Sequence, residues 1–221
     1  MTIAGLQPWL IALVAVVMGW FATGILWNIR RGNAVLRWMQ SGMPRLGAKT
    51  TLRWLGTSVV ELSIAKARSP FREVRILLVM APRDVPWLWI LAALRGRRDT
   101  FILRGDLTTA PRLEYEISAP ESWTGRRAIA AALAQRWEQV ELEHHRFLAP
   151  RASLPVSRPG AEALLEAASK IHPNLWRLAV RRAYPQIELH VPLPRPSQHG
   201  SAEFFESVCS LAERIIKPAA A

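Results

Sequence analysis

The sequence predicts an α+β chain: one N-terminal transmembrane helix followed by a soluble domain with a mainly antiparallel sheet and packed helices. Three observations predict it. An uncharged apolar run occupies residues 8–27. Beyond it, short stretches with period-two alternation come in pairs around turn residues, without regular strand–helix–strand alternation. Between those pairs lie segments whose apolar residues recur at helical spacing.

The run PWLIALVAVVMGWFATGILW holds twenty uncharged residues. As a helix it spans about 30 Å, the hydrocarbon thickness of a bilayer. Trp9 and Trp27 mark its ends and Trp20 lies between them, giving three indoles suited to an anchor and its interface. Thr23 can bond its own helix backbone, and Gly19 with Thr23 fits the loose small-xxx-small pattern of paired membrane helices. The preceding MTIAGLQ has no Lys or Arg, and a charged stretch follows instead of a small-residue cleavage site. These features favour an uncleaved anchor over a removed signal peptide.

Charge sets the expected orientation. The chain carries 29 Lys and Arg against 17 Asp and Glu, a formal net charge of +12. The first acidic residue is Glu61, yet Arg30, Arg31, Arg37, Arg45, Lys49 and Arg53 all precede it. Positive residues flanking a span stay in the cytoplasm, so residues 1–7 are expected outside and the rest inside. Residues 28–47 read as a basic juxtamembrane segment, and 48–221 as the cytoplasmic domain. Within NAVLRWMQSGM, the residues Val35, Leu36, Trp38 and Met39 either touch the membrane surface or pack on that domain. Arginine outnumbers lysine heavily, which a GC-rich coding sequence explains better than function does. Cys209 is the single cysteine, so no intramolecular disulfide forms, and it reads as a small core residue.

Gly42, Pro44 and Gly47 break the first helical pattern. Thr50–Trp54 and Ser58–Ala65 then read as strands around a Gly56-Thr57 turn, and Arg72–Met80 as a strand whose ILLVM end is covered on both faces. Asp84 is the expected cap of a helix PWLWILAAL that ends at Arg95 and Gly96. Thr100–Arg104 and Arg112–Ser118 read as a hairpin around Gly105 and Asp106. A long helix from Thr124 to Arg146 places Ile129, Leu133, Trp137, Val140 and Phe147 on one stripe. Residues 148–160 are rich in Pro, Ser and Arg and read as an internal linker. A helix from Ala161 to Ile171 follows, then a hairpin carrying Trp176, Leu178 and Val180 against Ile187, Leu189 and Val191. Ser201 is the expected cap of a last helix with Phe204, Val208, Leu211 and Ile215 on one face.

Candidate chemistry is sparse. Glu141 and His144 on the expected long helix form a Glu-x-x-His pair, with His145 beside them, but a helical pair supplies too few ligands for a closed metal site. His172, His190 and His199 are scattered, with His190 on the polar face of the last hairpin. No nucleotide-binding or metalloprotease motif occurs, and the sequence implies no catalytic residue, metal or cofactor. Residues 85–94 carry Trp87 and Trp89 and no uncharged polar or charged side chain. They are too short to span a bilayer, and a helix lacking a polar face reads as buried against the ILLVM strand. The alternative is an interfacial helix, with Arg95, Arg97 and Arg98 on headgroups.

The expected function is a non-catalytic interaction or assembly module at the membrane surface. Its anionic-surface contacts would be Arg30, Arg31, Arg37, Arg45, Lys49, Arg53, Arg95, Arg97 and Arg98, and its partners membrane lipids and a protein. A membrane-tethered nucleic-acid-binding protein is the alternative, since Arg and Trp supply phosphate contacts and stacking. An enzyme whose site assembles only in the fold is the third reading.

Overall fold

A computed structural model describes residues 8–151, 158–196 and 200–217. The expected N-terminal segment 1–7, His199 and residues 152–157 of the Pro- and Ser-rich stretch lie outside the described residues. The described chain is α+β, with six helices and a nine-stranded, wholly antiparallel sheet. In chain order these are α1 (Pro8–Gln40), α2 (Met43–Leu46), β1 (Thr51–Trp54), β2 (Val59–Ile64), β3 (Phe71–Val79), α3 (Pro86–Leu94), β4 (Thr100–Leu107) and β5 (Tyr115–Ser118). Then come α4 (Trp123–Ala134), β6 (Glu138–Glu141), β7 (Arg146–Ala149), α5 (Arg158–Ser169), β8 (Arg177–Val180), β9 (Ile187–Pro192) and α6 (Ser201–Ile216). The strand order is β1-β2-β3-β4-β9-β8-β5-β7-β6.

The helix α1 is unbroken across the change from apolar to amphipathic sequence. Its stripe Gly24, Asn28, Gly32, Val35 and Met39 is buried, at spacings of four and three that keep one face of a helix aligned. Glycine is required at two of these places. A Cβ on Gly24 would overlap the Arg83 carbonyl and the Asp84 amide, and one on Gly32 would meet the Trp54 indole at 2.8 Å. The last turns of α1 join α2, α5 and α6 over one sheet face. There Trp38 packs on Phe204 and Phe205, and Phe204 meets Phe101 edge-on at 5.3 Å. Burying each such ring contributes about 1.5–3 kcal/mol. Residues 28–47 therefore supply core, with Val35, Trp38, Met39 and Leu46 inside it.

The opposite sheet face is covered by α4 over β5, β7 and β8, where Ile129 and Ala132 meet Leu148. Across β2, β3 and β4 that face is half open. Ile76, Leu78 and Met80 are buried, while Leu77 and Val79 stay partly exposed, so the ILLVM strand is covered fully on one side only.

The hairpins β1–β2 and β8–β9 form as the alternation predicts. Three expectations fail for identifiable reasons. The strands β4 and β5 are not a hairpin: β4 pairs with β3 and β9, and β5 with β7 and β8. Gly105, expected in a turn, sits inside β4 because its missing Cβ makes room for the Phe71 ring. The expected helix Thr124–Arg146 stops at Ala134 and becomes the β6–β7 hairpin. Arg136 takes φ +59, and its amide and that of Trp137 bond back to Leu133 and Ala132, closing a Schellman turn. The expected linker from residue 148 begins inside β7, which runs through Ala149. The two expected side-chain caps are also absent. Asp84 instead accepts from the Thr57 hydroxyl at 2.8 Å, and Ser201 Oγ pairs with Ser41 Oγ at 2.7 Å.

Candidate functional site

The apolar part of α1 is almost wholly exposed. Its most apolar window has a mean hydropathy of 2.2 with 6% of it buried, and the helix is long and apolar enough to cross a membrane. Trp9, Trp20 and Trp27 are all exposed. Thr23 Oγ1 donates within α1, at 2.8 Å from the Gly19 carbonyl and 2.9 Å from that of Trp20, and a Cβ on Gly19 would meet open space.

A polar clasp marks where this half meets the sheet. Asn28 is fully buried, and its Nδ2 donates to the Ala81 carbonyl at 3.1 Å. Its Oδ1 accepts from Arg83 Nη1 at 3.1 Å. Arg83 also forks onto Asp99 with two bonds of 3.0 Å, and Arg31 Nε reaches the same carboxylate at 3.3 Å. Asp99 completes its shell by accepting from the Ala81 amide at 2.9 Å. The clasp thus ties α1 to both segments that flank α3.

The helix α3 stands beside the apolar half of α1, and here burial, the preferred sequence reading, is overturned. Trp20 Nε1 donates to the Arg83 carbonyl at 2.9 Å, and the Trp20 and Trp89 rings lie 6.0 Å apart. Only Ala92 of α3 is buried, while Trp87 is 62% and Leu94 81% exposed. The reason is placement. The connections from β3 and into β4 lead α3 off the end of the sheet, so the sheet face never covers it. Arg95 and Gly96 end it as expected: Gly96 adopts φ +70, and the amides of Gly96 and Arg97 bond to Ala93 and Ala92.

The nine basic residues singled out in the sequence differ in their partners. Arg31 is committed to Asp99 and Arg45 to Glu206, the latter at 3.6 Å. Arg30, Arg37, Lys49, Arg53, Arg95, Arg97 and Arg98 are exposed and have no acidic partner among the described residues. Arg37 lies about 10 Å farther along α1 than Arg30, from the rise of a helix. Arg97 stacks over the Trp123 ring at 4.9 Å, and Arg126 Nη2 bonds the Arg95 carbonyl at 3.4 Å, which groups three cations with Arg126 around the end of α3. Elsewhere, a groove of about 440 Å³ opens between α1, α2 and β1, lined by Leu36, Met39, Met43, Leu52, Leu62 and Arg68.

A second cluster escaped the sequence reading. Arg177 donates to Glu116 from Nε at 2.7 Å and Nη2 at 3.3 Å, and to Glu188 from Nη1 at 2.9 Å. Arg181 reaches Glu116 at 3.3 Å and Arg104 reaches Glu188 at 3.4 Å. His190 lies 2.7 Å from Glu188 through Nε2, which must donate because a carboxylate only accepts. Its Nδ1 is buried without a partner among the described residues. Burial disfavours ionisation of Glu188, but the His190 hydrogen bond and the charges facing it outweigh this and hold its carboxyl at about 2. Burial pushes the His190 imidazole below its usual value despite that carboxylate. The alternating signal was visible, since Glu188 and His190 are two apart between apolar neighbours. That polar face of the hairpin is covered in the fold, and His190 is 6% exposed. A carboxylate-oriented imidazole resembles half of a proton-transfer device, but enclosure of this one favours a structural ion network.

Glu141 and His144 cannot act as a helical pair, because they fall in the β6–β7 hairpin, where Glu141 pairs in register with Arg146. His145 is spent on the Leu175 carbonyl at 2.9 Å. Among the described residues, no three His, Cys, Asp or Glu side chains gather in a metal-holding group. Comparison of the chain with protein-family models and with curated proteins finds no match.

Proposed function

We propose that this chain is a single-pass membrane protein whose cytoplasmic domain is a non-catalytic interaction or assembly module held at the anionic membrane surface. The observation that supports the reading is the continuity of α1. One rod carries the exposed apolar half and the buried stripe Asn28, Gly32, Val35 and Met39, with no linker between them. A domain joined to its anchor in this way has its height and tilt above the bilayer fixed. That suits presenting a surface to a partner in the same membrane, whereas reaching distant partners calls for a flexible tether. The excess of cations before Glu61 supports the cytoplasmic side.

The test is made on the full chain in cell membranes. It is expected to resist extraction by alkaline carbonate, and a cysteine placed at the exposed Ala163 is expected to react with an impermeant maleimide only after the membrane is opened. Release by carbonate, or labelling of Ala163→Cys from outside, overturns the anchor or its orientation. A salt-sensitive complex with DNA or RNA that weakens on Arg95→Ala, Arg97→Ala and Arg98→Ala would favour the nucleic-acid reading instead.

A further inference from the structure

We infer that α3 is a second membrane contact: it lies in the headgroup–acyl boundary of the bilayer that α1 crosses, with phosphate groups on Arg95, Arg97 and Arg98. The inference rests on the reading of α1 as a membrane span and adds the surface by which the domain docks on lipid.

Three observations carry it. The first is level. Trp20 holds Trp89 and the Arg83 carbonyl, and it precedes Trp27, the end of the apolar run, by seven residues. At the rise of a helix this places α3 about 10 Å inside that end, matching the roughly 5–10 Å to which interfacial helices sink. The second is surface. Trp87, Leu88, Ile90, Leu91 and Leu94 are exposed and continuous with the exposed half of α1, so whatever covers α1 reaches α3 as well. The third is charge. Arg95, Arg97 and Arg98 follow the last apolar residue directly and have no acidic partner among the described residues, as anionic headgroups require. A protein partner would need to match the apolar surface of both helices. The bilayer already covers one of them in the reading above, which is why lipid is the occupant chosen.

The test uses the full chain, with Cys209, its single cysteine, replaced by alanine. It is reconstituted in phosphatidylcholine vesicles with and without phosphatidylglycerol. Nitroxides are attached singly at Ile90→Cys and Leu94→Cys on α3, at Val16→Cys in mid-span and at Ala163→Cys on α5. Collision with oxygen and with a water-soluble nickel complex then reports depth. The α3 labels are expected at about 5–10 Å depth, Val16 deeper, and Ala163 in water. Changing Arg95, Arg97 and Arg98 to Gln is expected to move the α3 labels toward water when phosphatidylglycerol is present. Labels on α3 in water with Val16 in lipid overturn the inference and leave the anchor standing. Labels at both Val16 and α3 in water overturn both. Labels on α3 shielded from both reagents show a protein covering the helix, and overturn the choice of lipid.

Discussion

Replacing Arg177 with methionine is expected to destabilise the protein by about 3 kcal/mol. The figure follows from what the side chain leaves behind. The Glu116 side chain is 2% exposed and that of Glu188 11%, so neither recovers water when the guanidinium is removed. Breaking a buried ion pair from one side costs roughly 3–5 kcal/mol. The lower end applies here because Arg181 stays 3.3 Å from Glu116, and Arg104 stays 3.4 Å from Glu188. Methionine keeps most of the aliphatic stem, which limits the packing loss. Adding Glu116→Met removes the most buried of the stranded charges. The double variant is therefore expected to be more stable than the sum of the two single losses by at least about 1 kcal/mol. Guanidinium unfolding of the full chain in detergent, followed by circular dichroism at unchanged slope, measures all three. A single-variant loss under about 1 kcal/mol, or additive losses, would refute the claim that Arg177 neutralises two desolvated carboxylates.

Further outcomes are checked by the same unfolding assay or by exchange. Arg136→Gly is expected to stabilise by about 0.5–1 kcal/mol, because the exposed Arg136 holds a left-handed backbone that glycine adopts freely; Gly96→Ala, at the matching turn after α3, is expected to lose about 1 kcal/mol. Stability is expected to fall as pH drops below about 6.5, since an unfolded His binds a proton there that folded, buried His190 resists. Glu188 adds a second loss between its unfolded value of 4.5 and about 2, because its folded carboxyl stays ionised to lower pH. His190→Gln is expected to abolish the first fall and to narrow the second, because His190 helps hold the Glu188 carboxyl low while Arg177 and Arg104 remain; a wild-type profile flat from pH 7 to about 5 would refute the His190 assignment. Inserting one alanine after Gly24 turns the first part of α1 by about 100° against its core half. Hydrogen exchange is then expected to rise in residues 83–98 while the sheet amides stay protected, and unchanged exchange there would show that Trp20 and Gly24 do not seat α3.

Legibility in the sequence followed how local each signal was. The hairpins β1–β2 and β8–β9 were readable because period two and turn residues lie within one short stretch. The end of α3 was readable because Gly96 occupies its left-handed position. The end of α4 was not, although the turn is the same, because arginine stands where glycine usually does. With that stop hidden, Trp137, Val140 and Phe147 happened to continue the helical stripe into what is a hairpin. Strand partnership was the least readable feature. The joining of β4 to β9 and of β5 to β8 depends on contacts far apart in the chain. The charged network has the same origin. Glu116, Arg177 and Glu188 each look like an ordinary solvent-facing residue until β5, β8 and β9 lie side by side.

The helix α3 shows why an all-apolar helix is ambiguous in a way that periodicity cannot resolve. Lack of a polar face means only that water is absent on every side, and both a protein core and a bilayer meet that condition. What separates them is the neighbour. Here the neighbour is the exposed half of α1, whose apolar run is long enough for a bilayer, while the sheet core lies on the far side of the Asn28–Arg83–Asp99 clasp. Net charge is ambiguous in the same sense, and position again sorts it. At physiological salt an exposed cation acts over about 8 Å. On the membrane reading, Arg95, Arg97 and Arg98 next to α3 fall within that range of the headgroups. Arg37, about 10 Å beyond Arg30 along the helix, largely does not. On the membrane reading, the charge of +12 therefore describes the chain, while Arg30 and the cations around the end of α3 are among those placed to hold it on an anionic surface.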